Sequence, residues 1–304
     1  MSSGNTNRRV LAWTGRTAYL YLLPALALYA LFVIVPVANA FYLSLFHWQT
    51  AVSTPVYVGF ANFKALLQDA VFWSALWHNA LLLVLSLVVQ LPAAMLLAVL
   101  VSQRTRGRWL LRTVFFAPMV MPSVAIAVLW SFIYLPEQGL LDQVIRLFDK
   151  SFGGNWLGGP NTAMLCVFVT ICWRYIGFHM VLFMAGIAAV PEELYEAARM
   201  DGASEWQAFR WITLPMLYPM IGVSATLSII GSLKYFDLVY MMAGGAPAEA
   251  RELMATYVYR LAFDSGQGRF GYGSAVAVVL FIIAFIVALG VVRLGRQKGG
   301  VAAA

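Results

Sequence analysis

Charge is scarce in this chain. Asp, Glu, Lys and Arg make up 11% of its 304 residues and hydrophobic side chains 62%, against roughly 25% and about 45–50% in ordinary soluble domains. That imbalance excludes a single water-soluble core and points to an integral membrane protein. Cysteine is nearly absent: Cys166 and Cys172 lie six apart in one apolar run. The spacing puts them on different helix faces and matches no metal motif, so they read as packing residues. The three histidines, His47, His78 and His179, are scattered, with no H-E-x-x-H pattern and no paired carboxylates, and neither a metal nor a hydrolytic site is expected. The phosphate-cradling pattern GxxxxGK followed by Ser or Thr is missing too, so the chain lacks the loop and lysine that bind ATP phosphates in this way. With no basic groove interleaved with aromatics, the net charge of +7 is better explained by membrane topology than by nucleic acid.

What the chain does have is long uncharged stretches. Charges leave gaps between Arg16 and Lys64, Asp69 and Arg104, Arg112 and Glu137, Arg210 and Lys234, and Arg269 and Arg293. Each gap holds the roughly 20 residues of a spanning helix. A sixth run, 162–190, is interrupted only by Arg174 and His179. The predicted spans are 18–45, 77–102, 110–135, 162–189, 215–241 and 272–293. Barrel strands are excluded, since they need only about 9–11 alternating residues. Arg8 and Arg9 precede the first run and Ala38-Asn39-Ala40 looks like a leader cleavage site. The run exceeds the ~7–15 apolar residues of a leader, however, and is read as a retained span. No low-complexity linker divides the chain. One membrane domain, 18–295, is expected between an amino-terminal segment, 1–17, and a tail, 296–304.

Lysine and arginine then orient the spans. Arg8, Arg9, Arg16, Arg104, Arg106, Arg108, Arg112, Arg199, Arg210, Arg293, Arg296 and Lys298 fall on one side. Lys64, Arg146, Lys150, Arg251, Arg260 and Arg269 fall on the other. The excess predicts that both termini are cytoplasmic.

The connection between spans four and five holds charge that the spans avoid. Pro191, Glu192 and Glu193 start a helix, with proline in the first turn and acids at the positive end of the dipole. Gly202 supplies its stop, being suited to the left-handed conformation beyond a helix end. Ser204-Glu205-Trp206-Gln207 then fits a capping box for a second helix, which Pro215 ends near Leu214. Two short helices joined by a glycine turn are therefore predicted to protrude over 191–214, with small Ala197 and Ala198 allowing a partner close approach.

The insert reads "EAARMDGASEWQAFRWITLP". Its pattern of Glu196, Ala197, Ala198, three residues, Gly202, nine residues, Ile212, one residue, Leu214 and Pro215 resembles the EAA motif of permease subunits of bacterial ABC importers. The segments "YVGFANFKALLQDAVFWSALWHNA" (57–80), "RTVFFAPMVMPSVAIAVLW" (112–130) and "FDLVYMMAGGAP" (236–247) are similar to the carbohydrate-importer branch, of the maltose (MalF) and glycerol-3-phosphate types. The resemblance implies an all-α integral membrane fold of the type I importer kind: six transmembrane helices with a cytoplasmic two-helix coupling insert, in a bacterial inner membrane. It implies that Glu196, Ala197, Ala198, Asp201 and Gly202 dock on an ATP-binding subunit as a helix in a groove. It further implies two such ATPase subunits carrying ATP and Mg, no cofactor in this chain, a second similar permease subunit, and an extracytoplasmic solute-binding protein. On this reading the chain is a transport subunit and not an enzyme.

Intramembrane polar residues are the natural substrate candidates, because ionisable groups in lipid usually face a cavity or a partner. Arg174 stands out, with Tyr175 and Phe178 nearby as aromatic surface for sugar C–H faces. Its guanidinium donates several hydrogen bonds, to hydroxyls or an anionic group, unless it is held structurally by a neighbouring helix. Ser228, Ser232 and Tyr235 recur at i, i+4 and i+7 and draw a polar stripe on one helix face. Serines also pack helices together in membranes. Counted without gaps from Pro191, Leu214-Pro215 and Gly244-Gly245-Ala246-Pro247, these positions match those where maltose-type permeases present sugar-contacting side chains, although the asparagines of that type are missing. Lys234 and Asp237, three apart, are expected to neutralise each other on one helix face. The alternatives are a permease for an amino acid or a phosphorylated polyol, or an ion-coupled secondary transporter, for which no convincing inverted repeat is seen.

Overall fold

The computed structural model describes residues 15–49, 52–102, 107–150, 153–159, 162–242, 252–264 and 268–299. Residues 1–14 of the amino-terminal segment, 300–304 of the tail, Arg104, Arg106, Arg251 and the Gly244-Gly245-Ala246-Pro247 turn lie outside them.

The first apolar run forms α1: Gly15–Tyr29, a π-helical turn Ala30–Ile34, and Val35–Leu43. Its apolar stretch Tyr21–Leu43 is unburied within this chain, which is how a helix facing hydrocarbon or a partner looks. It leans on the last helix of the chain, where Phe41 meets Phe281 edge-on at 5.9 Å. Two short strands, β1 (Phe46–His47) and β2 (Val56–Tyr57), pair antiparallel, and α2 (Ala61–Leu67) follows.

Next, α3 runs Ala70–Leu85, through a π-helical turn Ser86–Gln90, to Leu91–Ser102. It starts at residue 70, well before the predicted 77, because Asp69 caps it, accepting from the amides of Val71 at 2.9 Å and Phe72 at 3.3 Å. Its 33 residues extend about 50 Å at ~1.5 Å per residue. That exceeds the roughly 30 Å hydrocarbon layer, so the helix tilts or projects beyond it.

The third predicted span is two helices, α4 (Arg108–Val120) and α5 (Ser123–Ile133), bent by 100°. Pro122 dictates the break: Met121 before it is extended, at φ −70° and ψ 143°, the geometry a following proline enforces. After a short α6 (Leu140–Arg146) comes α7 (Ala163–Ala188), unbroken for 26 residues. It packs against both α3 and α4. Gly177 permits the α4 contact, since a β-carbon there would lie 1.9 Å from the Phe115 carbonyl oxygen. Ala94 and Ala98 play the same part on α3, beside Met180 and Phe183.

Beyond α8 (Glu192–Met200), the fifth predicted span is again divided. α9 (Glu205–Ala208, a π-helical turn Phe209–Thr213, then Leu214–Met216) meets α10 (Tyr218–Lys234) at 65°. The helix passes Pro215, where it was expected to yield, and bends at Leu217. Pro219 in the first turn of α10 sets that bend, while Pro215 follows the π-helical turn and tolerates its missing N–H there. α10 ends at Lys234, Tyr235 leaves helical geometry at ψ 121°, and α11 (Asp237–Met242) restarts. α12 (Met254–Tyr259) continues into a π-helical turn Arg260–Asp264, and α13 (Phe270–Gly299) closes the chain.

Among the described residues four helices are long and apolar enough to cross a bilayer, or up to six where each bent pair counts as one span. The main core joins α3, α5, α7 and α11 through Leu82, Ile126, Val167 with Ile171, and Leu238 respectively. Cys166 is buried in this core, Cys172 packs against it, and both are free thiols.

Candidate functional site

The 191–216 insert is built from local signals. Pro191 is the residue before the first turn of α8 rather than within it, and Glu192 and Glu193 occupy that turn. At the other end the Gly202 amide bonds the Arg199 carbonyl at 3.1 Å and the Ala203 amide reaches the Ala198 carbonyl at 2.9 Å. That pair of bonds, with Gly202 at φ +76°, is a Schellman stop that favours glycine. The capping box of α9 forms as the sequence predicts: Ser204 Oγ accepts from the Gln207 amide at 3.3 Å, and the Ser204 amide donates to Gln207 Oε1 at 2.8 Å. Neither α8 nor Glu205–Ala208 buries a single residue. Met200 and Trp206 are 89% and 69% exposed, on either side of the Gly202 turn in sequence. The surface is finished locally yet leaves an apolar face uncovered, as a helix-in-groove contact requires.

A second site lies where the two broken spans meet. The Met121–Pro122 break and the Tyr235–Phe236 break sit side by side, because α5 packs on α11. Ser123 at the start of α5 donates a hydrogen bond to the Asp237 carboxylate at the start of α11. Arg174 reaches across from α7: Nη2 donates to the Met121 carbonyl at 3.5 Å, and the guanidinium lies 5.1 Å from the Tyr175 ring centroid. Its Nε is buried without a partner. Tyr175 and Tyr235 pack ring to ring at 5.7 Å. From the first break an open groove of about 790 Å³ runs along α4, lined by Arg112, Phe116, Val120, Met121, Pro122 and Val181.

Residues 90–297 match the family described as binding-protein-dependent transport system inner membrane component. The chain belongs to that family. The permease is 37% identical over 274 residues to the probable ABC transporter permease protein YurN of Bacillus subtilis, covering 89% of this chain and 93% of the relative. It is 30% identical to the trehalose/maltose transport system permease protein MalF of Thermococcus litoralis, covering 93% and 95%. Among solved structures it superposes on a chain of the bacterial alginate ABC transporter in complex with alginate pentasaccharide-bound periplasmic protein. That match has a TM-score of 0.80 and 24% identity over 93% of this chain and 94% of the other, which establishes the fold.

Within the permease the predicted site residues divide into two groups. Arg174, Tyr175 and Tyr235 come together at the breaks. Phe178, one turn on, sets its ring edge-on to His179 at 5.3 Å. Ser228 and Ser232 are 5% and 0% exposed and turn into the chain's own interior. Ser228 Oγ approaches His179 Nε2 at 3.5 Å, and Ser232 Oγ donates to the Ser228 carbonyl at 2.9 Å. The expected Lys234–Asp237 pair is absent: the break at Tyr235 removes the shared helix face, and Ser123 takes the carboxylate instead.

Other polar residues hold the permease together without having been singled out in its sequence. Asn79 joins three elements, donating to the Ser232 carbonyl at 2.7 Å and accepting from the Met254 amide at 2.9 Å. The signal was legible, since an asparagine inside an apolar run seeks an inter-helix partner. Asp69 accepts from Tyr257 and, at 2.6 Å, from Tyr272, joining α3 to α12 and α13. Burial pushes the Asp69 carboxyl up, but the two phenols and the Phe72 and Val71 amides outweigh it and hold the group below its usual value. Burial likewise raises Asp142, and its bonds from the Trp156 indole and the Glu137 and Gly154 amides, with Arg146 nearby, bring it below the ordinary range. Asp142 thereby organises the connection between α5 and α7.

Proposed function

We propose that the permease is the transmembrane subunit of an ATP-driven importer of a sugar or sugar-like solute. The observation that carries this reading is the 191–216 insert, capped at both helices, with no buried residue in α8 or Glu205–Ala208 and bearing the EAA pattern. Both termini and the insert lie in the cytoplasm on the lysine and arginine count. Two ATP-binding subunits receive the insert through Glu196, Ala197, Ala198, Asp201 and Gly202. A second permease subunit completes the path, and an extracytoplasmic solute-binding protein delivers the substrate. ATP and Mg are held by the partner subunits, where hydrolysis takes place. Relatives named for trehalose, maltose and starch degradation products support a carbohydrate substrate.

The mechanism is alternating access. ATP binding closes the ATPases, the insert transmits the motion, and the permease pair turns outward. The shift is supplied by the differential affinity of ATP for the two states. Substrate passes the paired helix breaks, where Arg174 donates hydrogen bonds and Tyr175, Phe178 and Tyr235 offer aromatic surface. The partly unpartnered guanidinium favours a second reading, in which the solute carries an acid group, as a phosphorylated polyol or an amino acid does.

The test is ATP hydrolysis by the complex purified with its binding protein, across sugars, polyols and their phosphates. Stimulation by one neutral sugar establishes the carbohydrate reading, and stimulation only by acidic solutes establishes the second. A folded permease that recruits no ATPase overturns both and restores an ion-coupled transporter.

A further inference from the structure

Three polar side-chain atoms in the middle of α3 have no hydrogen-bond partner although they reach no solvent: Ser86 Oγ and both amide atoms of Gln90. Ser86 is 1% and Gln90 0% exposed. The two residues bound the π-helical turn Ser86–Gln90, after which the Leu91 amide reaches back five residues to the Ser86 carbonyl. Turns of this kind commonly mark functional sites within helices. This one packs against α7 and α10.

The registers of the three helices show what it faces. Along α10, Asn79 meets Ser232 at one end, and Ala94 and Ala98 share a cluster with Met220 and Ile221 at the other. The turn between them falls level with Ser224 and Ser228. Along α7, Leu82 clusters with Val167 and Ile171, and Ala94 with Met180 and Phe183, so the turn falls in the interval that holds His179. All three facing residues are buried. His179 Nδ1 lies 2.6 Å from Ser224 Oγ, and its Nε2 only approaches Ser228 Oγ, at 3.5 Å. By register a primary amide, three hydroxyls and an imidazole therefore lie near one level of the apolar part of the chain, and the amide has no hydrogen-bond partner.

Burying an amide in hydrocarbon without hydrogen bonds is strongly unfavourable. A buried water needs two to four polar partners, and this cluster supplies that number. We propose that the Ser86–Gln90 turn, His179, Ser224 and Ser228 enclose an ordered-water site that joins α3 to α7 and α10. Water makes at this level the connection that Asn79 makes directly two helical turns earlier.

Hydroxyl-radical footprinting of the assembled complex in lipid nanodiscs tests this on the native chain, because radicals form where water is held. Oxidation of buried His179 at a rate comparable with exposed His47 supports the site. Protection of His179 to the level of fully buried Phe183 overturns it. A second measurement uses Gln90→Leu: loss of the water's partner lowers the Tm of the complex by about 2–4 °C, whereas an unchanged or raised Tm shows a dry, uncompensated amide and also overturns the proposal. Stabilisation by sodium over choline at equal ionic strength assigns the site to a cation instead and rejects water.

Discussion

The 191–216 insert and the seam between α3, α7 and α10 are both polar regions in an apolar chain, and they satisfy their polar groups in different ways. In the insert the capping bonds are short-range, Ser204 with Gln207, Ala203 with Ala198 and Gly202 with Arg199, and a longer tie, Tyr195 with Thr213 at 2.8 Å, still stays within the insert. In the seam the bonds join residues far apart in the chain: Asn79 with Ser232 and Met254, His179 with Ser224. The insert can therefore hold its shape while projecting from the bundle with Met200 and Trp206 exposed. The seam exists only once the helices have packed. The insert is finished within itself, and the seam that holds helices together is finished across them.

Four measurements would break or sharpen that contrast. The largest effect is expected at Gly202, where an added side chain meets no neighbour within 4 Å and acts only through the backbone and the partner. A β-carbon in left-handed geometry costs about 1–2 kcal/mol. Gly202→Asp also places a charge against the ATPase and is expected to uncouple or release it. Gly202→Asn, which tolerates that geometry, retains more coupling. Normal substrate-stimulated hydrolysis in Gly202→Asp would remove the insert from the coupling path.

Arg174→Ala comes next. Removing charged hydrogen bonds worth roughly 1.5–3 kcal/mol lowers uptake by about 10- to 150-fold with assembly intact. Normal uptake would take Arg174 out of the path, and a complex that falls apart would make it structural. A smaller effect is expected from Ser123→Ala, which frees Asp237 and loosens the joint between the two breaks by roughly 0.5–1.5 kcal/mol. The Tm should fall while hydrolysis stays coupled, and an unchanged Tm would show that the joint rests on apolar packing of α5 and α11.

The smallest effect is a pH response at Asp69. Its pKa is held down in the folded protein, so its contribution is present above the unfolded value near ~3.9 and is lost as the pH falls through the folded one. The Tm of the wild type should drop below about pH 4 more steeply than that of Asp69→Asn. Parallel curves would show that the Tyr257 and Tyr272 contacts do not depend on the carboxylate.

Much of the permease was legible because its signals are local. Six apolar runs, the glycine stop at Gly202 and the Ser204 capping box all appear where the residues place them. The breaks were less legible: Pro122 and Pro219 lie among apolar residues much like Pro215 and Pro24, yet the former pair accompany the bends while the helix passes the latter. The Ser228–Ser232 stripe was visible as a stripe, but its direction was not. Periodicity says which residues share a face, and packing says what that face meets.

Composition and spacing alone marked the chain as a membrane protein with up to six apolar runs long enough for spans and set the 191–214 segment apart as a charged helical pair, while its motifs carried the family resemblance. They suffice because the bilayer demands long apolar helices and because helix caps involve residues only three to six positions apart. Only the tertiary structure decided that Arg174 sits against the Met121 break, that Asp237 answers Ser123 rather than Lys234, and that Gln90 shares its level with His179. Those relations join residues about 50 to 115 positions apart, and they arise from the rotation and register of helices that packing, not local sequence, sets.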